Sequence, residues 1–141
     1  MASVDVLVTG YADDGVGMGS VQPTISLVRT RSFAIVVDPG LLPRQDALIG
    51  ALAQHGLTCS DITHVFLTHH HLDHTRNIGL FPYAAVVDYD TVYSGDLWAV
   101  HDGDGFALAD DVTVLQTPGH TDDCASLLVQ TDDGVVVLTH A

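Results

Sequence analysis

A dense histidine motif, His-x-His-x-Asp-His, occupies residues 69–74 of this 141-residue chain. Neutral imidazole nitrogens together with a carboxylate are the ligands that zinc and similar divalent ions prefer. In an extended segment alternate side chains share a face, so His69, His71 and Asp73 are expected to point the same way. A turn at Asp73 would then bring His74 beside them. Chance would produce this motif in about 0.005 of chains with this composition, so the pattern predicts a metal site.

One more ligand is expected from a distant part of the chain, because a catalytic zinc ion has three protein ligands and one open position. The best candidate is His120 in the segment "LQTPGHTDD", where Pro118 and Gly119 turn the chain sharply. Like the first motif, His120 follows a predicted strand. Loops that follow such strands converge on one edge of a sheet.

Three motifs together resemble the metallo-beta-lactamase superfamily in their order and approximate spacing: "VVDPG" at 36–40, "THHHLDH" at 68–74 and "TPGHT" at 117–121. The segment "HTRNIGLFPYA" after the cluster is similar to the subgroup of metallo-beta-lactamase domain-containing protein 1, an RNA-processing nuclease. The resemblance implies an α+β fold, the αβ/βα four-layer sandwich, with two sheets face to face, helices outside and a metal site on one edge.

The resemblance also implies a role for each motif residue. The first zinc would be held by three histidines, His69, His71 and His120. Asp73 and His74 would help to hold a second zinc, and Asp38 would lie close behind the ligands. The chain would carry one or two zinc ions, with iron or manganese as alternatives.

The end of the chain departs from the family pattern. In the family a later strand ends in an aspartate that bridges both metals, and a further histidine follows. Here the strand reads "VVVLTHA", so His140 stands where the bridging aspartate belongs. Either His140 replaces the bridge as a terminal ligand, or residues 1–141 are one domain that lacks its C-terminal part. An uncovered second sheet would then favour a homodimer.

Sheet is expected to dominate the elements that position these residues. The predicted strands are Val4 to Val8, Thr24 to Thr30, Phe33 to Val37, Thr63 to Leu67, Ala84 to Val87, Val112 to Thr117, Ala125 to Gln130 and Val135 to Thr139. One helix is predicted in "PRQDALIGALAQHG", with Pro43 in its first turn and Gly56 as its stop, and a shorter one from Arg76 to Leu80. Asp133 and Gly134 predict a hairpin.

Composition limits the environment and the partners. The chain has 18 aspartates, no glutamate or lysine, four arginines and a net charge of −14. Such self-repulsion is screened at about 1 M salt, where the Debye length is about 3 Å, so we expect a salt-rich cytoplasm. Two cysteines make no disulfide framework, and no segment is long and apolar enough to span a membrane.

A metal-dependent hydrolase is the leading functional hypothesis. Zinc would lower the pKa of a bound water towards ~7, and Asp73 would orient that water and transfer its proton in attack on an ester, thioester, lactone or phosphodiester. An RNA phosphodiesterase is the first alternative, although four arginines offer little to a nucleic acid. A non-catalytic zinc-binding fragment is the second, and persulfide oxidation by one iron is a third.

The small-molecule substrate depends on edge loops. Specificity is expected from "YADDGVGMGS" and from "YDTVYSGDLWAVHDGDGF". In these loops Tyr11, Tyr93 and Trp98 would either line a pocket or cap the core.

Overall fold

The computed structural model describes residues 1–13, 18–41 and 45–140, and all structural statements concern these ranges. The strands are β1 (Ser3–Val8), β2 (Tyr11–Asp13), β3 (Ser20–Gln22), β4 (Ile25–Arg29), β5 (Ala34–Val37), β6 (His64–Phe66), β7 (Ala85–Val87), β8 (Thr91–Ser94), β9 (Leu97–Val100), β10 (Phe106–Ala109), β11 (Val112–Gln116), β12 (Ala125–Thr131) and β13 (Gly134–Leu138). The helices are α1 (Asp46–Gln54) and α2 (Leu72–Thr75), with 3-10 turns at Cys59–Asp61 and Arg76–Leu80.

Two sheets lie face to face. The first has seven strands in the order β1-β4-β5-β6-β7-β8-β9, in which β5, β6 and β7 are parallel. The second is the antiparallel sheet β10-β11-β12-β13, and β2 and β3 form a separate hairpin. Phe66 and Val37 of the first sheet share one buried core with Val114 and Leu127 of the second. Burial of these branched and aromatic side chains holds the sheets together.

Helix α1 covers the opposite face of the first sheet. Its Leu48 and Leu52 are fully buried against Leu27 and Val65. The described layers are therefore helix, sheet and sheet, which are three of the four layers of the predicted αβ/βα sandwich. Residues 81–140 contain no helix, and Val135 and Val137 on the outer face of the second sheet are about half exposed.

Several predicted elements differ from the structure. Strands β2, β3, β8, β9 and β10 were not predicted from the pattern. The predicted extended run through Asp73 is wrong, because α2 begins at Leu72 and places Asp73 in its first turn. The predicted short helix from Arg76 to Leu80 is confirmed with the same bounds and is a 3-10 helix. The predicted first-turn role of Pro43 lies outside the described residues, whereas Gly56 has the expected positive φ of 73°.

Other sequence expectations concern single features. Strands β12 and β13 form the predicted hairpin around Asp133 and Gly134. Cys59 and Cys124 are both free thiols, half-buried and buried respectively. Within the described ranges, no helix has the length and apolar character needed to cross a bilayer.

Candidate metal centre

Strand ends bring the site residues to one edge of the molecule. Asp38 follows β5 and the 69–71 histidines follow β6, and these two strands are parallel. His120 follows β11 and His140 follows β13, which run the same way because both pair antiparallel with β12. The amide of Ala125 donates to the carbonyl oxygen of Thr68 over 2.8 Å, so the two sheets are joined at this edge.

Three histidines, His69, His71 and His120, form what we call the first triad. Nδ1 of His71 lies 3.1 Å from Nε2 of His69 and 3.0 Å from Nε2 of His120. Nitrogens bound at 2.0–2.1 Å to one tetrahedral ion are about 3.3–3.4 Å apart. The ring of His69 is buried, whereas His71 and His120 are exposed. The first triad therefore has ion-binding spacing and an open, solvent-facing side.

A relay of hydrogen bonds fixes the tautomer of His69. The Thr68 hydroxyl donates to Oδ2 of Asp38 over 2.7 Å, and the Thr68 amide donates to Oδ1 over 2.8 Å. Nδ1 of His69 lies 3.2 Å from the same hydroxyl oxygen. Since the hydroxyl has only one hydrogen, Nδ1 must donate, and the lone pair of His69 lies on Nε2, towards the first triad.

Burial also keeps His69 neutral. It lowers the pKa of His69 from 6.5 to about 4, and the neighbouring rings of His74 and His140 add to this by disfavouring a further positive charge. Burial, followed by the charge of His74, lowers the pKa of His140 as well. A neutral imidazole is the form that binds a metal ion.

A second group, His69, His74 and His140, is called the second triad. Its ligand atoms, like those of the first triad, lie within 4.8 Å of one another. His74 is buried, and its Nδ1 lies 2.8 Å from Oδ2 of Asp38 without the alignment of a hydrogen bond. Nδ1 of His74 thus faces the Asp38 carboxylate, which leaves Nε2 as the nitrogen available to an ion.

Asp73 adjoins the second triad on its His74 side. Its Oδ2 lies 3.4 Å from Nε2 of His74, and its side chain is 20% exposed. Within the described ranges, the groups that could hold an ion contain histidines only. Asp73 therefore lies at the rim of the cluster.

Asp38 sits in a strained turn. It has a positive φ of 51°, which is uncommon for a residue with a Cβ. The next glycine, Gly40, has a φ of 82° and donates from its amide to the carbonyl of His74 over 3.2 Å. Asn77 donates from its amide to the carbonyl of Gly40, so α2 is locked against this turn.

Three hydroxyl side chains near His120 and His140 form a hydrogen-bonded chain. Thr117 Oγ1 lies 2.7 Å from Ser126 Oγ, and Ser126 donates to Thr139 Oγ1 over 2.6 Å. Ser126 is fully buried. Since Thr117 is close in sequence to His120 and Thr139 precedes His140, this chain connects the two ligand loops.

Two supporting residues escaped the sequence analysis, Thr68 and Asp88. Asp88 is buried and accepts a hydrogen bond of 2.8 Å from Nε2 of His70, which belongs to neither triad. Tyr93 also donates to Asp88, and its ring packs edge-on against Trp98. The signal was present in the sequence, because "VVD" ends both β5 and β7.

The donor set fits a divalent ion of the zinc type. Imidazole nitrogens converge at the required spacing, and a carboxylate and a hydroxyl fix the tautomer of the buried ligand His69 from behind. Such supporting groups orient ligands and raise their basicity. The structure brings His69, His71, His74, His120 and His140 together and leaves Asp73 at the rim.

Comparisons with known proteins identify the family of the chain. The model of the metallo-beta-lactamase superfamily matches residues 18–139. Metallo-beta-lactamase domain-containing protein 1 of Xenopus laevis is 35% identical over 96% of this chain and 61% of its own length. Hydroxyacylglutathione hydrolase of Rhizobium johnstonii is 32% identical over 74% of this chain and 45% of its own length.

A solved structure shows the same architecture. A metallo-beta-lactamase-like protein from Thermotoga maritima superposes with a TM-score of 0.81 at 26% identity, covering 98% of this chain and 77% of that protein. The chain spans 45% to 61% of the length of the curated relatives it matches. The predicted resemblance, including the domain-containing protein 1 subgroup, is confirmed. The chain belongs to the metallo-beta-lactamase superfamily.

Proposed function

We propose that this chain is a zinc-dependent hydrolase of a small acyl compound: an ester, a thioester or a lactone. The observation that carries the proposal is the first triad, in which three imidazole nitrogens meet at 3.0 and 3.1 Å on an exposed edge. When bound there, the ion supplies a water of lowered pKa and polarises an acyl carbonyl. His69, His71 and His120 would hold it.

The residues around the triads have separate tasks. Asp73, a partly exposed carboxylate at the rim, would orient a water, accept its proton and pass it to solvent. The Asp38–Thr68 pair keeps a lone pair on Nε2 of His69. His71 and His120 leave their outer sides open to solvent, where a substrate can approach.

A pocket adjoins the second triad. It has a volume of about 300 Å³ and is lined by Tyr11, Asp73, His74 and His140, among others. That size suits a small acyl group. A larger cleft of about 660 Å³ lies between Arg31 and Asp110, at the opposite end of the strands, and contains no histidine.

Charge supports an acyl substrate over a phosphodiester. The chain has four arginines against 18 aspartates, and Arg29 already pairs with Asp5 at 3.0 Å. A nucleic acid needs several cations to replace its counterions. The name of the Rhizobium relative, a hydroxyacylglutathione hydrolase, also points to acyl chemistry.

The test uses tag-free protein stripped with EDTA and assayed on a nitrophenyl ester, a model thioester and bis(nitrophenyl) phosphate. We expect acyl hydrolysis that disappears on chelation and returns with zinc, and at least a ~100-fold loss in His71→Ala. His55→Gln is the matched control, because His55 lies at the end of α1, outside the cluster. Activity that survives chelation, or appears only on the phosphodiester, would contradict the proposal.

A further inference from the structure

The turn that carries Asp38 has a backbone shape that needs support from its surroundings. Asp38 has a φ of 51° and Gly40 a φ of 82°, both in the left-handed region. A residue with a Cβ keeps such a conformation only where neighbouring groups hold it. The carboxylate of Asp38 accepts from the Thr68 hydroxyl and faces Nδ1 of His74. A shift of this turn would therefore displace the group that orients both His69 and His74.

One buried residue, Asn77, holds the turn. Only 1% of Asn77 is exposed, and its main-chain amide donates to the carbonyl oxygen of Gly40 over 3.1 Å. Its side-chain Nδ2 donates to the carbonyl oxygen of Pro39 over 3.3 Å. The two carbonyls that follow Asp38 thus accept hydrogen bonds from a single residue. The bond to Pro39 requires a donor, because a peptide carbonyl has no hydrogen of its own to give.

Asn77 also belongs to the segment that carries His74. The main-chain amide of Gly40 donates to the carbonyl oxygen of His74 over 3.2 Å, so segments 39–40 and 74–77 exchange three hydrogen bonds. These bonds fix the backbone of Asp38 against that of His74, and the two side chains approach to 2.8 Å. Asn77 therefore controls this approach through the main chain of the turn.

A second carboxamide, that of Gln22, supports the turn from the side of β3. Oε1 of Gln22 accepts from the amide of Leu41 over 3.2 Å, and Gly40 leaves no room for a Cβ against Nε2 of Gln22. This support remains when Asn77 is replaced. We therefore expect an Asn77 variant to fold with a displaced turn rather than to lose the turn.

We propose that Asn77 is a positioning residue that acts through the two turn carbonyls to set the Asp38 carboxylate against the ligand histidines that it supports. This role rests on the proposed function, because it presumes an ion at the histidine cluster. The support of the ligands thus extends beyond Asp38 and Thr68 to a residue of the 3-10 turn that follows α2.

The first experiment replaces Asn77 by leucine, which has a similar volume and no hydrogen-bonding group. Zinc titration of the metal-free, tag-free Asn77→Leu protein is expected to show about 10-fold weaker binding, as for other groups behind metal ligands. The cobalt-loaded variant should also have a changed visible spectrum, because displaced ligands alter the coordination geometry.

Gln45→Leu is the matched control. Gln45 is exposed, and its Nε2 donates to Oδ1 of Asn77 over 3.2 Å. The control removes this hydrogen bond and keeps both bonds from Asn77 to the turn. Its zinc affinity should stay within about two-fold of the wild type, as for other surface substitutions.

The second experiment combines Asn77→Leu with Asp38→Ala in a double-mutant cycle. If Asn77 acts through Asp38, the double variant should bind zinc within about two-fold of Asp38→Ala alone, because the carboxylate that Asn77 positions is already absent. Independent effects would multiply, and a further ~10-fold loss in the double variant would overturn the positioning role. Circular dichroism of each metal-free variant checks folding, and Asn77→Ser takes the place of Asn77→Leu if the latter is unfolded.

Failure of this proposal and failure of the proposed function would look different. A folded Asn77→Leu with wild-type zinc affinity and cobalt spectrum would overturn the positioning role and leave the hydrolase proposal intact. An equal loss of affinity in Gln45→Leu would do the same. A wild-type protein that binds no zinc would overturn both.

Discussion

Two aspartates support the histidine loop from opposite sides. Strands β5 and β7 flank β6, and each ends in two valines that an aspartate follows, Asp38 and Asp88 respectively. Both carboxylates are almost fully buried, with 5% and 4% of each residue exposed. The local sequence and the position on the sheet are therefore the same, and the partners of each carboxylate decide its role.

The partners differ. Asp38 accepts from the amide and hydroxyl of Thr68 and contacts Nδ1 of His74, so it acts on residues of both triads. Asp88 accepts from His70, which belongs to neither triad, and from the amide of Thr91 in its own turn. Equal burial thus accompanies two functions: Asp38 controls ligand chemistry, and Asp88 anchors the back of the loop.

The largest effect is expected for Asp38→Ala. Loss of the acceptor frees the Thr68 hydroxyl, releases the tautomer of His69 and leaves the buried Thr68 amide without its carboxylate partner. Zinc affinity should fall by about 10–100-fold, with a loss of folding free energy of about 1–3 kcal/mol. Zinc titration and urea unfolding measure the two effects. An unchanged zinc affinity would remove the distinction between the two aspartates.

Thr68→Val tests the relay itself, because it keeps the volume and removes the hydroxyl. Asp38 retains its bond from the Thr68 amide, whereas Nδ1 of His69 loses its acceptor. We expect about a 10-fold loss of zinc affinity. A Thr68→Ser variant restores the hydroxyl and should recover most of the loss; failure to recover would show that packing, not the hydrogen bond, was responsible.

Acid should lower the free energy of unfolding of the metal-free protein through His69. The pKa of His69 is about 4 when folded and 6.5 ordinarily, so between these values only the unfolded chain takes up the proton. Stability is therefore present above pH 6.5 and is lost as the pH falls towards 4. Urea midpoints in EDTA at pH 7 and pH 5 measure this, and His69→Gln should show a smaller difference. Equal midpoints in the wild type would contradict the assignment.

The smallest effect on metal binding is expected for Asp88→Asn. Its partner His70 is half exposed and lies outside both triads. Zinc affinity should stay within about three-fold, while folding free energy falls by about 1–3 kcal/mol because buried donors lose a charged acceptor. His70→Gln is the matched variant, with a smaller stability loss. A zinc affinity as low as that of Asp38→Ala would make the two aspartates equivalent.

Motif spacing predicted which histidines meet, because the ends of parallel strands share an edge and ligand types are few. It did not predict that α2 begins at Leu72, since the choice between a turn and a helix there depends on the contact between Gly40 and His74. Strands β8 and β9 were missed because their residues are short runs broken by Gly95 and Asp96. Asp88 was missed because its partner, His70, is identified only by the fold.

The hydrogen bonds along the hydroxyl chain of Thr117, Ser126 and Thr139 run in a defined donor-to-acceptor direction. Ser126 gives its one hydrogen to Thr139, so Thr117 must supply the hydrogen of the other bond. The hydroxyls of Thr117 and Ser126 thus both point from the His120 loop towards the His140 loop. If the His140 loop moved Thr139 Oγ1 out of reach, the hydroxyl hydrogens of Ser126 and Thr117 could rotate so that Ser126 donates to Thr117. The donor and acceptor of that bond would then be exchanged without any side chain changing its rotamer.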